Sequence, residues 1–125
     1  MSAMYEYLKD IKNKYDLSGK HPSIIAFAHE DGDYDRWALI VSGQGITNSK
    51  KSMDEAYEFV LSSLNGNLPK LIRSIYTADP GSEMIVNLTD YLSNFKNDDP
   101  SIMKQINQFG INDGFFILEK NHKAI

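Results

Sequence analysis

The chain alternates between segments of helical period and short apolar runs. Residues 3–16 set Met4, Leu8, Ile11 and Tyr15 at helical spacing, with Lys9, Asp10, Lys12 and Asn13 between them, which predicts an amphipathic helix. Gly19-Lys20-His21-Pro22 ends it. Ile24 to His29 is a mostly apolar run and Trp37 to Val41 is another. Between them lies Glu30-Asp31-Gly32-Asp33-Tyr34-Asp35, so the pair reads as antiparallel strands joined by a polar turn that holds Asp33 and Asp35. Ser42-Gly43-Gln44-Gly45 ends or bulges the second strand.

A helix is expected from Ser52, whose spacing to Glu55 is that of a capping box. Met53, Ala56, Tyr57, Val60, Leu61 and Leu64 form its apolar face, and Asn65-Gly66 stops it. Leu71 to Tyr76 reads as a strand. Asp79-Pro80 reads as an N-cap with proline at the first helical position, ahead of Ile85, Leu88, Leu92 and Phe95. Asp99-Pro100 repeats the device before Ile102, Met103, Ile106 and Phe109, and Gly110 closes that short helix. Asn112-Asp113-Gly114 then turns into a last strand, Phe115 to Leu118. The order αββαβααβ predicts an α/β fold, a mixed sheet with helices packed on it, in one domain over residues 1–125.

Composition narrows the classes. At 125 residues, 42% apolar and 24% charged, the chain has the length and balance of one globular domain. No apolar run approaches the roughly 20 residues of a membrane span, and the first residues read as an amphipathic helix rather than a leader, so a cytoplasmic location is expected. The absence of cysteine excludes disulfides, thiolate zinc sites and cysteine nucleophiles. The net charge is −4 and only Arg36 and Arg73 are arginines, which argues against general nucleic-acid binding.

Three places put acidic residues where a strand gives way to a loop or helix: His29-Glu30-Asp31-Gly32, Ser52-Met53-Asp54-Glu55 and Thr77-Ala78-Asp79-Pro80. Carboxylates gathered from separate strand ends and a helix start assemble divalent-metal sites. The same residue types also make turns and caps: Glu55 completes the capping box, Asp79 is an N-cap, and Asp54 suits the helix dipole. Asp31, Asp33 and Asp35 alternate like the start of a calcium loop, but Arg36 stands where glycine is needed and Ser42 where the bidentate glutamate belongs. His21 precedes a proline in a loop and reads as exposed. His29 shares a strand face with Ile25 and Phe27 and reads as half-buried, and His122 lies near the end of the sequence. No histidine pair has zinc spacing. Gly43-x-Gly45 lacks the third glycine of a dinucleotide loop, and no glycine-flanked serine nucleophile occurs.

In order, these pieces resemble the ribonuclease H family. The opening strand with Asp-Gly is similar to Ile24 through Gly32, and its hairpin partner to Trp37-Ala38-Leu39-Ile40-Val41. Thr47-Asn48-Ser49 followed by Met53-Asp54-Glu55-Ala56 is similar to the family's Thr-Asn-Asn stretch and its helix with Met-Glu. Tyr76-Thr77-Ala78-Asp79 resembles its strand ending in Thr-Asp-Ser, Tyr91 to Lys96 its aromatic-x-x-aromatic-Lys segment, and Phe115 to Lys120 with His122 its late strand and histidine. Residues 3–16 and the missing third strand of an opening meander depart from the pattern, so the first helix is an appendage candidate. The resemblance implies a ribonuclease H-like fold, or another small α+β sandwich. It also implies that Asp31, Asp54 (or Glu55) and Asp79 hold two Mg²⁺ ions roughly 4 Å apart. One ion would activate water and the other would stabilise the leaving 3′ oxygen. His122 would aid product release or proton transfer, and Lys50 and Lys51 would meet the phosphate backbone.

Two functions follow. The acidic charge, the small size and an imperfect catalytic match, with Asp54 where the family has glutamate and Asp79 displaced by one residue, point first to a non-catalytic protein-binding or regulatory module, of the inhibitor or immunity type that mobile elements carry. The alternative is the Mg²⁺-dependent nuclease that the resemblance implies. A homodimer formed through a strand edge, at Leu71 to Tyr76 or Phe115 to Leu118, is a third expectation.

Overall fold

The computed structural model describes residues 3–30, 33–62, 68–92 and 111–118. The helix expected over Ile102 to Phe109 lies outside the described residues, as do Asp31 and His122. The elements are α1 (Ala3–Leu17), β1 (Pro22–Glu30), β2 (Asp33–Gly43), α2 (Lys50–Ser62), β3 (Ile72–Ala78), α3 (Glu83–Leu92) and β4 (Ile111–Leu118), with a 3-10 turn at Leu68–Leu71 leading into β3.

The expected mixed α/β architecture is present. One sheet runs β3-β2-β1-β4. β1 is antiparallel to both β2 and β4, whereas β3 runs parallel to β2. Parallel neighbours need a crossover, and α2 supplies it. The pleat then assigns the faces. Ile25, Phe27, Leu39 and Val41 point to the side covered by α1 and α2, while Ile24, Ala26, Ala28 and Ile40 point to the side covered by α3. Helices on both faces explain why the central strands read as continuous apolar runs and not as alternating ones.

α1 contributes to this core. It buries Met4, Tyr7, Leu8, Ile11 and Tyr15 against the sheet and α2. Each such side chain removed from water contributes about 1.5–3 kcal/mol. The Tyr7 hydroxyl donates to the Val60 carbonyl at 2.9 Å, and the Tyr15 ring meets Phe59 edge-on at 4.7 Å, so two tyrosines fasten α1 to α2. Burial, with the charge of Asp10 added, pushes the Tyr7 hydroxyl up to about 12. Burial and then Glu55 push Tyr15 upward as well. α1 ends where Lys20 N–H reaches back to the Tyr15 carbonyl at 3.1 Å over Gly19, whose φ of +92° only glycine adopts cheaply. Gly43 is required for space: a Cβ there would lie 2.8 Å from the Pro22 backbone, its partner across β1 and β2.

Strand pairing moved two boundaries. Glu30 pairs with Asp33, so Asp33 and Asp35 belong to β2 and not to the turn. Asn112 and Gly114 pair with His29 and Ala28, so β4 starts ahead of the expected turn. In both places a ladder with the central strand outweighs local turn preference.

Candidate interaction surface

The start of α2 is set by hydroxyls. Ser49, not Ser52, is the N-cap: its Oγ accepts the Ser52 N–H at 3.2 Å and its carbonyl accepts the Met53 N–H at 3.0 Å. Ser52 is buried one turn inside, where its Oγ accepts the Thr47 N–H at 3.0 Å. The Thr77 hydroxyl donates to the Thr47 carbonyl at 2.7 Å, which ties this cap to β3.

The shifted start reassigns the two carboxylates. Asp54 pairs with Lys50 one turn earlier at 2.7 Å, and both are exposed. The hydrogen bond to Asp54, with its charge, holds the Lys50 ammonium above the usual lysine range. Glu55 is not a capping-box acid; it meets Lys20, from the loop after α1, at 2.8 Å. Asp79 is not the N-cap of α3. Its Oδ2 accepts the Gly81 N–H at 3.1 Å and its carbonyl accepts the Ser82 N–H at 3.0 Å. The helix opens after that turn, with the Ser82 carbonyl accepting the Val86 N–H. Among the described residues, no three of His, Asp and Glu gather where they could hold a metal ion. Asp54 and Glu55 are ion-paired to lysines, Asp79 is used by a turn, and Asp31 and His122 fall outside the described residues.

The two described histidines, His21 and His29, have structural surroundings. His29 is buried and stacks on Trp37 with centroids 3.8 Å apart. His21 is exposed and lies 2.9 Å from Asp16, which also takes a hydrogen bond from Lys12 at 2.9 Å. Partial burial would raise the Asp16 carboxyl, but the bonds from Lys12 and His21 outweigh it and hold the group below its ordinary range.

The surface that stands out is apolar. α2 buries Ala56 and Val60 against the sheet, while Met53, Tyr57 and Leu61, one turn apart from each other, are 39%, 56% and 55% exposed. These three overhang β3 and line a hollow of about 380 Å³ together with Ile72, Arg73 and Ile75. A second hollow of about 300 Å³ shares Met53 and Ile75 and continues to Tyr76, Asp79 and Met84. Of the seven large apolar side chains exposed among the described residues, five (Met53, Tyr57, Leu61, Tyr76 and Met84) line these two hollows.

β3 closes one end of the sheet, with β2 as its single strand neighbour among the described residues. At the other end, β4 buries Phe116 and Leu118 and half-buries Ile117. Among the described residues, most of the exposed large apolar side chains therefore gather on the β3 side. An end strand flanked by an apolar groove is the geometry that receives an added strand: backbone bonds supply affinity and the groove takes alternate side chains. The residue pattern gave no sign of this division, because Met53, Tyr57 and Leu61 share the ordinary helical period with Ala56 and Val60.

No protein-family model matches the chain, and neither a curated protein nor a solved structure does.

Proposed function

We propose that this chain is a non-catalytic protein-binding module that docks its partner on the groove between α2 and β3. The observation that carries this reading is the exposed Met53, Tyr57 and Leu61 stripe overhanging the end strand of the sheet. A contiguous apolar patch of this kind, rimmed by polar residues, is often an interaction site. The charges around it fit a recognition surface and not a reaction centre, since Asp54 is neutralised by Lys50 and Asp79 is held in a turn.

Selection of extended peptides from a displayed library, followed by amide-shift mapping on the labelled chain, tests the reading. Peptides that perturb residues 53–61 and 72–79, and that lose binding to a folded Leu61→Asp variant, are the expected result. Selection that yields no binder, or binders that map to α1 or β4, would overturn it.

A further inference from the structure

We infer that Met53 and Met84 form an oxidation site within the groove, a pair of thioethers whose conversion to sulfoxide by a hydroperoxide weakens docking. The effect on docking rests on the reading above, whereas the oxidation itself does not.

The three methionines among the described residues fall into two groups. Met4 is sealed in the core by α1 at 8% exposure, while Met53 and Met84 are 39% and 40% exposed. Both exposed ones line the same hollow, together with Ile75 and Tyr76. They reach it from different layers. Met53 belongs to α2, whose buried residues pack on one face of the sheet, and Met84 to the first turn of α3, which covers the other face. The hollow at β3 is where side chains from both layers come together.

The chain has no cysteine, so its thioethers are the sulfur that a peroxide can oxidise. The methionine sulfur attacks one peroxide oxygen and the O–O bond breaks. Sulfur keeps that oxygen, and the rest of the peroxide leaves as water or an alcohol. This is a two-electron oxidation of sulfur and a two-electron reduction of the peroxide. A dithiol reductant reverses it, becoming a disulfide and releasing the oxygen as water.

The product changes what the groove can accept. A sulfoxide replaces an apolar, adaptable side chain with a polar, chiral one. In the open groove water solvates the new oxygen, so the folded chain loses little. A partner covering the hollow would strip that water away among Ile75 and its apolar neighbours, and a buried polar group without a hydrogen bond opposes binding. The same product at Met4 would disrupt the core instead. Two sulfoxides in one hollow act on a single contact, which distinguishes this pair from methionines scattered singly.

Hydrogen peroxide treatment of the folded full chain, followed by peptide-mapping mass spectrometry and by titration with the selected extended peptides, tests the inference. Peroxide must reach the sulfur, so Met53 and Met84 should oxidise at least about tenfold faster than Met4, with the amide spectrum outside the groove retained. At that dose peptide affinity should fall on the order of tenfold, and a methionine sulfoxide reductase should restore it. The double variant Met53→Leu/Met84→Leu, whatever its own affinity, should lose nothing further under peroxide. It keeps Met1, Met4 and Met103, so it separates the pair from every other methionine. Should that variant bind no peptide, the oxidation rates and the reductase arm still decide. Oxidation of Met4 at an equal rate, or oxidation of the pair with affinity unchanged, would overturn the inference and leave the docking reading standing. A peroxide effect that the double variant shares would also overturn it. A chain that binds no selected peptide sinks both.

Discussion

α1 and α2 lie on the same face of one sheet and carry apolar residues at the same helical period, yet they end differently. α1 sinks its apolar stripe, from Met4 to Tyr15, into the core. α2 sinks Ala56 and Val60 and leaves Met53, Tyr57 and Leu61 in water. Their neighbours separate them. α1 packs on β1, β4 and α2, which together seal its stripe, whereas α2 packs on β3 and α1 and leaves Met53, Tyr57 and Leu61 outside those contacts. α2 therefore keeps apolar area that folding does not use, and that area is what the proposed docking site consists of.

The comparison breaks most sharply under truncation. Leu8→Ala, within the sealed α1 face, should cost about 2–5 kcal/mol in equilibrium unfolding. Leu61→Ala, on the open face of α2, should stay within about 0.5 kcal/mol of the parent when measured at low protein concentration. Equal losses would mean that the outer stripe belongs to the core after all.

Smaller effects sharpen the seam between the two helices. Tyr7→Phe deletes the hydroxyl that holds Val60 and should cost about 1 kcal/mol. The same tyrosine gives the fold an alkaline limit. Its folded-state pKa lies near 12, above the ordinary tyrosine value of about 10, so the protonated form is favoured in the folded chain. That stability is complete below about pH 10 and is lost as pH rises through about 12. Tyr15 is shifted in the same direction and adds to the loss. Denaturant midpoints between pH 8 and 12 should fall, less steeply in Tyr7→Phe. A flat profile would place both hydroxyls in water. Ser49→Ala removes the α2 cap and should cost about 1 kcal/mol, whereas Ser52→Ala tests the capping that the sequence suggested first. Asp54→Asn breaks only an exposed pair with Lys50 and should leave the midpoint unmoved.

Much of this fold is legible in the residue pattern, because period and punctuation are local properties. α1, the hairpin of β1 and β2, α2, β3 and α3 all lie where the apolar spacing puts them. What stayed hidden depends on partners distant in sequence. Ser49 and Ser52 are both acceptable caps, and the earlier one is used where Thr47, tied to Thr77 thirty residues away, engages the Ser52 hydroxyl instead. The first turn assigns Glu55 to a capping box until Lys20, thirty-five residues earlier, arrives beside it. The parallel course of β3 against β2 leaves no mark on the strand itself, since both directions bury the same residues. The candidate site was the least legible part. Asp54 and Asp79 were visible as acids at element ends, but their uses, an ion pair and a turn, are set by neighbours. The exposed half of α2 had the spacing of a buried one.

The central claim is that α2 and β3 form a surface built for another polypeptide, and one measurement addresses it most directly. Amide shifts of the labelled chain should be followed both across protein concentration and on addition of selected extended peptides. The account predicts changes confined to residues 53–61 and 72–79, abolished by Leu61→Asp with the remaining spectrum intact. Changes centred on α1 or β4, or none at millimolar concentration, would contradict it.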